Sequence, residues 1–511
     1  MALAVASGLL LLIAFPSFYF YLAAWIAVAV LMYACAGARL RTAALCGFVQ
    51  GMFFFVPTLS WLYDTFRIHG NVSVLMSCVS LGVIAAGCSV FPMLFAMGFA
   101  AIARRRVVLA CAAAPFLWVA QEFGRDKLPA IGFPWNLLGY AAAHSLALIQ
   151  LTTFGGVWLL SFLVAAFNAI VFLAVLRWKD GKRAPAYVGC GVAIALILVA
   201  AFGDRALPTA TPDRVARLVQ SNFQQLDNLP PDWWVIHAPD MDQLQQISSA
   251  PDATGHAPAL VVWSEVPAPF SMQDRRFAAR AIQISRATTD GFLTGVVDWK
   301  VTPGEGWHAY NSAALLAPSG QETFLYDKVH LVPFSEYLPW SKWFGFVRRI
   351  TLDVASFSSG TEYKVGNLPD GHRFGVFICY ESVFPGEVRR FVANGAEVLI
   401  NISDDAWFGR SAAPEQHLEM ARVRAVENRR WLLRDTNNGH TVDVDPYGRI
   451  VAQMPVDIRG ELEAPYAYRD DVTLYTAWGD WIPWTCAIGG LGMLAAGIVS
   501  RKRDEWQRGK S

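Results

Sequence analysis

Apolar stretches separated by short polar segments fill the first 203 residues of the chain, and one more apolar stretch lies near its end. A helix that crosses a membrane needs about 20 mostly apolar residues to traverse a hydrocarbon core of roughly 30 Å. Residues 1–38 carry no charge and are too long for one crossing, so Phe15-Pro16-Ser17-Phe18 is predicted to divide them into two short antiparallel spans. Six further spans are predicted at about 42–63, 72–103, 107–121, 154–176, 187–203 and 482–499. The pattern therefore predicts a bundle of eight transmembrane helices.

Basic residues follow every second predicted span. Arginine and lysine cluster after spans two, four, six and eight, within 39–41, 104–106, 177–183 and 501–503. Short loops that stay in the cytoplasm are enriched in these two residue types. The charge pattern therefore predicts cytoplasmic termini and places the 204–481 segment on the opposite, extracytoplasmic side of the membrane.

The segment between spans seven and eight has an ordinary globular pattern. Short apolar runs predict strands at 215–220, 259–263, 291–297, 311–316, 374–378 and 397–402, with helices near 273–288, 381–393 and 414–429. Buried strands separated by helices are typical of an α/β fold. The predicted organisation is a bundle of about seven spans at 1–203, an α/β domain at 204–481, an eighth span at 482–499 and a basic cytoplasmic tail at 500–511.

Composition narrows the classes of function. Hydrophobic residues make up 54% of the chain and charged residues 16%, well below the roughly 25% charged residues of a typical soluble protein. The net charge of +1 argues against a nucleic-acid partner. The predicted spans hold no Asp, Glu, Lys or Arg in their interiors, which argues against a transporter because ion pathways usually need such residues.

Eight cysteines are present, and seven of them lie in the apolar stretches, where cysteine behaves as a small hydrophobic residue. The exception is Cys379, which directly follows the predicted strand 374–378 in the α/β domain. It has no local disulfide partner there, which favours a chemical role. For such a cysteine taken alone, an inert position in the core is the alternative.

Two further polar residues follow predicted strands in the same way. Glu265 comes after Val261-Val262-Trp263-Ser264, and Lys328 comes after Tyr326-Asp327. Functional groups gather at the carboxyl ends of strands in α/β sheets, so these residues are predicted to converge with Cys379. A carboxylate whose pKa is raised by an apolar pocket can accept the thiol proton, and a lysine ammonium stabilises a thiolate or an oxyanion. Taken alone, the glutamate fits a strand-end carboxylate and the lysine a solvated turn residue.

The three segments together resemble the nitrilase, or carbon–nitrogen hydrolase, superfamily, whose triad is Glu, Lys and Cys in that order. Over essentially the whole chain the resemblance is to the apolipoprotein N-acyltransferase family of the bacterial cytoplasmic membrane. It is carried by Gly132-Phe133-Pro134-Trp135, His330-Leu331-Val332-Pro333-Phe334, Cys379-Tyr380-Glu381, Asp405-Ala406-Trp407-Phe408-Gly409 and Thr436-Asn437-Asn438-Gly439. The resemblance implies a nitrilase-like α-β-β-α sandwich for the domain.

The same resemblance implies a function. Members of this family move an acyl chain from a membrane phospholipid to the α-amino group of a diacylglyceryl-modified cysteine at the N-terminus of an apolipoprotein. The implied roles are acyl carrier in a ping-pong reaction through a thioester for Cys379, base for Glu265, oxyanion partner for Lys328 and supporting residues for Glu336, Tyr380, Glu381 and Asn311. The implied enzyme is a monomer of the inner membrane with a periplasmic catalytic domain, and it needs no cofactor or metal.

Aromatic residues are the candidates for handling a lipid substrate. The family has a tryptophan on a mobile loop after the first strand, and Trp233 or Trp234 fits that role. The run 337–346, which contains Trp340, Trp343 and Phe344, fits a membrane-dipping arm, with buried core as the alternative. The outer loop 128–136 fits either an interfacial segment or an ordinary short loop.

Three positions depart from the usual family pattern. Ser264, Ser335 and Asp404 stand where Pro, Gly and Asn are usual, and none of them belongs to the triad. The alternative function is a membrane-tethered nitrilase-like amidase that acts on a small amide, for which a single anchor would suffice. A non-enzymatic binding module is a further alternative, and the complete triad argues against it.

Overall fold

The computed structural model describes residues 1–224, 230–252, 255–302, 304, 306–337, 339 and 357–508. Among these residues, six helices are long and apolar enough to cross a membrane, namely Leu40–Thr58, Val74–Ala103, Val107–Asp126, Thr152–Trp178, Ala184–Ala206 and Trp481–Val499. The first two predicted spans correspond to the shorter apolar helices Ala2–Ile13 and Tyr21–Cys35. Apolar helices thus occupy all eight predicted positions, and the count of eight crossings stays a prediction.

The helix Val107–Asp126 corrects one expectation from the sequence. It continues beyond the predicted end of the fifth span at residue 121 and carries Glu122, Arg125 and Asp126 in its last two turns. All three are buried, so the predicted end of this span at residue 121 is too early, and the helix carries buried charged residues near one end. Each of them contacts a protein group: Glu122 accepts from an indole N–H at 3.1 Å, Arg125 donates to a backbone carbonyl at 2.8 Å, and Asp126 pairs with Lys127 at 2.8 Å.

Two six-stranded sheets form the domain between the last two long helices. Its described strands are β1 (Arg214–Gln220), β2 (Leu260–Trp263), β3 (Gly291–Thr302), β4 (Gly306–Leu316), β5 (Glu322–Asp327), β6 (Val365–Asn367), β7 (Arg373–Ile378), β8 (Val398–Ser403), β9 (Leu432–Thr436), β10 (Val442–Val444), β11 (Ile450–Gln453) and β12 (Gly460–Tyr466). The first sheet has the order β12-β1-β2-β3-β4-β5, and the second has the order β11-β10-β9-β8-β7-β6. The predicted α/β domain with two sheets is confirmed.

Parallel strands lie at the centre of each sheet. β1, β2 and β3 run parallel in the first sheet, and β7, β8 and β9 run parallel in the second. All six residues of β8 are buried, as expected of a continuous apolar run covered on both faces. β1 lies against β9 and β4 against β7, so the two sheets face each other.

Four helices border the sheets. Ala238–Ser249 packs on β1 and β12, Arg275–Arg286 on β3 and β4, and Pro385–Ala393 on β7. The fourth, Ala413–Asn428, contacts the turn after β7 and the long apolar helix that begins at Thr152. This last helix therefore connects the side of the domain that holds the second sheet to the bundle.

Several elements are not predicted by the sequence pattern, namely β6, β9 to β12 and the helix Ala238–Ser249. β6 and β10 have three residues each, too few to show a period. β11 is exposed or half-buried along its length. β9 has Arg434 and Asp435 among its five buried residues, which hides its apolar character.

The outer loop 128–136 packs against the domain. Trp135 is buried, and its indole N–H donates to Gln416 Oε1 at 2.7 Å. The hydroxyl of Tyr380 donates to the carbonyl of Gly132 at 3.2 Å. Buried residues of the bundle and of the domain belong to one continuous hydrophobic cluster. The aromatic residues of this loop therefore face protein, which neither expectation for the loop had included.

Candidate active site

Three strand ends bring Glu265, Lys328 and Cys379 to one edge of the domain. The glutamate follows β2 and the lysine follows β5 in the first sheet, while the cysteine follows β7 in the second. β5 runs in the same direction as β2 because two antiparallel pairings, β3 with β4 and β4 with β5, lie between β3 and β5. Lys328 Nζ lies 3.2 Å from Glu265 Oε1, so the ammonium and the carboxylate are in direct contact.

Gly295 of β3 lets the segment that carries Glu265 pass close to the sheet. A Cβ at position 295 would lie 2.6 Å from the carbonyl oxygen of Ser264 and 2.8 Å from the Cα of Glu265. The N–H of Gly295 also donates to that carbonyl at 3.2 Å. Any larger residue would displace the glutamate, so this close approach requires glycine.

Lys328 is buried between two carboxylates. Its Nζ lies 2.9 Å from Glu336 Oε1, and Asn311 Nδ2 donates to Glu265 Oε1 at 2.8 Å and to Glu336 Oε1 at 2.9 Å. Burial alone would lower the pKa of a lysine, but here the carboxylates of Glu265 and Glu336 outweigh burial and raise the pKa of Lys328 well above its usual value. The lysine therefore carries a fixed positive charge in a site that is nearly closed to water.

Cys379 begins a tight turn directly after β7. Its φ of +49° lies in the left-handed region, which costs a non-glycine residue about 1–3 kcal/mol and is typical of functional sites. Burial and the charge of Glu265 raise the pKa of the thiol well above its usual value, although Lys328 and Ser403 oppose this. The resting group is therefore a thiol, and a base must remove its proton when sulfur attacks.

Glu381 connects the strand ends and does not contact the triad carboxylate. Its Oε1 accepts from Tyr326 OH at 2.7 Å and from the N–H groups of Val329 and His330 at 2.8 and 3.1 Å. Its Oε2 accepts from the N–H of Ile378 at 2.7 Å. This side chain fixes the loop after Lys328 to the end of β7. It therefore holds Lys328 and Cys379 in position relative to each other.

Among the other predicted residues, Tyr380 faces the outer loop of the bundle. Trp233 is buried in a cluster of aromatic rings with Phe223 and Phe270, and Trp234 packs edge-on against it. The structure therefore places both tryptophans in the packing of the first sheet. The remaining candidates, Trp340, Trp343 and Phe344, lie outside the described residues.

Comparison with known proteins identifies the family. Residues 7–170 match the family model of the apolipoprotein N-acyltransferase N-terminal domain, and residues 234–464 match that of carbon-nitrogen hydrolase. The chain is 33% identical to the apolipoprotein N-acyltransferase of Geobacter metallireducens over 98% of this chain and 95% of that protein. The chain belongs to the apolipoprotein N-acyltransferase family. The corresponding protein of Azotobacter vinelandii is 32% identical, again over 98% and 95% of the two chains.

Membership confirms the family predicted from the sequence motifs. The protein is an acyltransferase of the carbon–nitrogen hydrolase superfamily, and its two-sheet domain is nitrilase-like. Its long apolar helices have the length and composition expected of a membrane protein.

Sequence reasoning about this N-acyltransferase missed a polar cluster behind Cys379. Arg434 Nη2 lies 3.0 Å from both carboxylate oxygens of Asp405, and His417 Nδ1 lies 3.2 Å from Asp405 Oδ1. All three side chains are fully buried. Burial would raise the pKa of Asp405, but the charge of Arg434 outweighs burial and holds it below its usual range. The signal in the sequence that could have revealed this cluster was Arg434 within a buried strand, because a buried charge needs a partner of opposite charge.

Asp404, where the N-acyltransferase family usually has Asn, lies beside the carboxylate of Glu265. Its N–H donates to Glu265 Oε2 at 2.9 Å, and its Oδ1 accepts from Asn437 Nδ2 at 3.0 Å. Burial and the charge of Glu265 raise the pKa of Asp404 to about 8, although the Asn437 and Ala406 hydrogen bonds oppose this. Its carboxyl is therefore neutral at neutral pH and becomes charged as the pH rises through about 8.

We expect Asp404→Asn to extend acyl transfer to higher pH. In the native protein, ionisation above about pH 8 puts a second negative charge beside Glu265, which disfavours a thiolate and an oxyanion nearby. Asparagine keeps the acceptor oxygen and cannot ionise. The test is the pH profile of the acyl-transfer rate, in which the native rate should fall above about pH 8 and the variant rate should stay level for about one further pH unit. Superimposable alkaline limbs would contradict this assignment.

Proposed function

We propose that this protein transfers an acyl chain from a membrane phospholipid to the α-amino group of a diacylglyceryl-modified N-terminal cysteine of an apolipoprotein, through a thioester on Cys379. The name of its relatives supports the apolipoprotein acceptor and N-acylation. The triad of Cys379, Glu265 and Lys328 supports acyl transfer through sulfur. The burial of the thiol supports an amine acceptor, because water must be kept from a thioester.

The observation that carries the proposal is the position of the nucleophile against the bundle. The residue after Cys379 is Tyr380, and its hydroxyl bonds the outer loop at the Gly132 carbonyl. The imidazole of His417, which bonds the Cys379 carbonyl at 3.1 Å, stacks on Trp135 of the same loop with ring centroids 5.9 Å apart. The nucleophile therefore lies where the catalytic domain joins apolar helices. An enzyme for a small soluble amide has no need of that placement, whereas a lipid ester can reach it from the bilayer.

Acylation starts from the neutral thiol. Glu265 takes the proton from sulfur as sulfur attacks the carbonyl carbon of a phospholipid ester, and a carbon–sulfur bond forms. The negative charge moves to the carbonyl oxygen, where the Lys328 ammonium and the backbone N–H of Tyr380 stabilise it. The tetrahedral intermediate collapses by breaking the bond to the ester oxygen, which takes the proton from Glu265. Lysophospholipid leaves, and the acyl chain stays on Cys379.

Deacylation repeats these roles with an amine. The neutral α-amino group of the acceptor attacks the thioester carbon, a carbon–nitrogen bond forms, and the same two donors stabilise the second oxyanion. Glu265 takes a proton from the nitrogen as the carbon–sulfur bond breaks, and this proton returns to sulfur. Because the first product leaves before the second lipid enters, one site serves two bulky substrates in turn, which gives ping-pong kinetics.

The acceptor side of the proposal is tested with a synthetic peptide that carries a diacylglyceryl-cysteine at its N-terminus. With phospholipid vesicles and purified enzyme, the peptide should gain the mass of one acyl chain at its α-nitrogen. The matched control is the same peptide with an acetylated α-amine, which should gain nothing. Acylation of both peptides, or hydrolysis of a small amide with no acylation of either, would contradict the proposed reaction and would favour an amidase.

The proposed location is the bacterial inner membrane, with the catalytic domain on the periplasmic side and the protein acting as a monomer. The positive-inside pattern of arginine and lysine supports this orientation. Reporter fusions should therefore give alkaline phosphatase activity after residue 300 and green fluorescence at the C-terminus. Cytoplasmic fluorescence from a fusion after residue 300 would reverse the proposed topology.

A further inference from the structure

His417 lies behind the nucleophile, and the reaction just described does not use it. Its Nε2 is 3.1 Å from the carbonyl oxygen of Cys379 and 2.7 Å from Ser382 Oγ. Its Nδ1 is 3.1 Å from Arg434 Nη2 and 3.2 Å from Asp405 Oδ1. The imidazole is fully buried. Both ring nitrogens are therefore fixed by neighbours, and one of those neighbours is the main chain of the nucleophile.

The partners decide which ring nitrogen carries the proton. The Arg434 guanidinium only donates, so Nδ1 next to it accepts a hydrogen bond. The Cys379 carbonyl only accepts, so Nε2 next to it carries the hydrogen and donates. Burial and the Arg434 charge lower the pKa of His417, which keeps the ring neutral with a single N–H. Asp405 favours the opposite tautomer, but its oxygens are already bonded by Arg434 and by Ser403 Oγ at 3.0 Å.

One peptide links this hydrogen bond to the chemistry. The carbonyl of Cys379 and the N–H of Tyr380 are the two ends of the same planar amide and point in opposite directions. A donor on the carbonyl therefore fixes the direction of the N–H. It also makes that N–H a stronger donor, because hydrogen bonds along a chain of polarisable groups reinforce one another. The φ of Cys379, +49°, lies in the left-handed region, which a non-glycine residue rarely adopts. A hydrogen bond that holds the Cys379–Tyr380 peptide in place therefore helps to maintain this conformation.

We propose that His417 is a positioning residue that fixes and polarises the Cys379–Tyr380 peptide, so that the N–H of Tyr380 is aimed at the oxyanion of each tetrahedral intermediate. Arg434 and Asp405 set the tautomer and orientation that this role needs. The inference rests on the proposed function, because it assigns a residue to the oxyanion site of the same acyl transfer.

Two amide substitutions at 417 give a matched pair. His417→Gln places a side-chain N–H near the position of Nε2 and keeps a donor for the Cys379 carbonyl. His417→Asn is equally polar, but its shorter amide reaches only the position of Nδ1 and leaves the carbonyl without a donor. Ser382→Ala is the further control, because it removes the other partner of Nε2 and leaves the peptide bonded. Thermal unfolding of each purified variant shows whether it is folded.

Two reactions of Cys379 separate an oxyanion effect from a general loss of the nucleophile. Acylation by phospholipid passes through an oxyanion, whereas alkylation by iodoacetamide displaces iodide and forms none. Removing an oxyanion donor costs roughly 10²–10³-fold in rate, so weakening one should slow acylation about 10- to 100-fold in His417→Asn. In the same variant, the rate of Cys379 alkylation, followed by peptide mass spectrometry, should change by less than about threefold. For His417→Gln and Ser382→Ala, the rates of both reactions should stay within about threefold of the native rates. The KM for phospholipid should not change, since the ground state carries no oxyanion.

Each result decides for or against the role of His417. Equal slowing of both reactions in His417→Asn, or unchanged acylation, would overturn it, as would a His417→Gln variant no faster than His417→Asn. If His417→Asn does not fold, nitrogen NMR of native protein with nitrogen-labelled histidine shows which ring nitrogen of His417 carries the proton. The His417 signal is assigned by its absence from the spectrum of His417→Gln. A proton on Nε2 is expected, and a proton on Nδ1 would overturn the role. Absence of any acyl adduct in the native enzyme would refute the proposed function itself, which is a distinguishable result.

Discussion

Replacing Cys379 with alanine is expected to abolish acyl transfer, with a loss of about 10⁴-fold or more in rate. The substitution removes the sulfur that bonds the acyl chain, and no other cysteine lies outside the apolar segments. The thiol contributes little to packing beyond one buried atom, so the free energy of unfolding should change by only about 1 kcal/mol. The measurement is the rate of peptide N-acylation together with the thermal unfolding midpoint of the purified variant.

A second cysteine provides the control for this experiment. Cys78 is exposed and lies in the apolar helix Val74–Ala103, away from the strand ends that form the site. Cys78→Ala should therefore leave the rate of N-acylation unchanged. Residual activity of Cys379→Ala above roughly one hundredth of the native rate would show that the acyl chain does not need this sulfur.

Lys328→Met is expected to lower both the rate and the stability. The ammonium stabilises charge that develops only in the transition state, so acylation should slow about 10²–10³-fold. Methionine also leaves Glu265 and Glu336 buried without the cation that lies 3.2 and 2.9 Å from their oxygens. Removing one partner from such a buried pair costs about 3–5 kcal/mol of unfolding free energy. The measurements are the single-turnover acylation rate and denaturant unfolding.

A double variant separates these two effects. Lys328→Met combined with Glu336→Gln removes one buried negative charge together with the positive charge, and the glutamine can still bond Asn311. We expect the double variant to recover most of the lost stability while its acylation rate stays near that of Lys328→Met. Recovery of the rate along with the stability would mean that Lys328 acts on folding alone.

The sequence was sufficient for the parts of the structure that have a strong pattern. The uncharged stretch 1–38 and the later apolar segments placed the bundle helices, and the buried runs of β7 and β8 marked the second sheet. Glu265, Lys328 and Cys379 stood out as candidates because each lies within two residues of the end of a strand and each is a residue type suited to acyl transfer.

What the sequence could not provide depends on distant contacts. The hydrogen bond from Asn311 to Glu265 and the position of Gly295 under Ser264 join segments that are well separated in the chain. His417 looks like any polar residue on an ordinary helix until Cys379 and Arg434 are packed against it. The fifth predicted span ended too early because Glu122 resembles a residue exposed to solvent, and its burial depends on a hydrogen bond from the backbone N–H of Leu138, just after the outer loop.

The central claim is that the acyl chain is stored on Cys379, and intact-protein mass spectrometry after incubation with phospholipid alone tests it most directly. With no acceptor present, the account predicts one acyl adduct per enzyme molecule and an equal amount of lysophospholipid. The adduct should map to the peptide that contains Cys379, be released by hydroxylamine as expected of a thioester, and be absent from Cys379→Ala. Acyl transfer that requires both substrates at once, with no adduct on Cys379 at any time, would contradict the account.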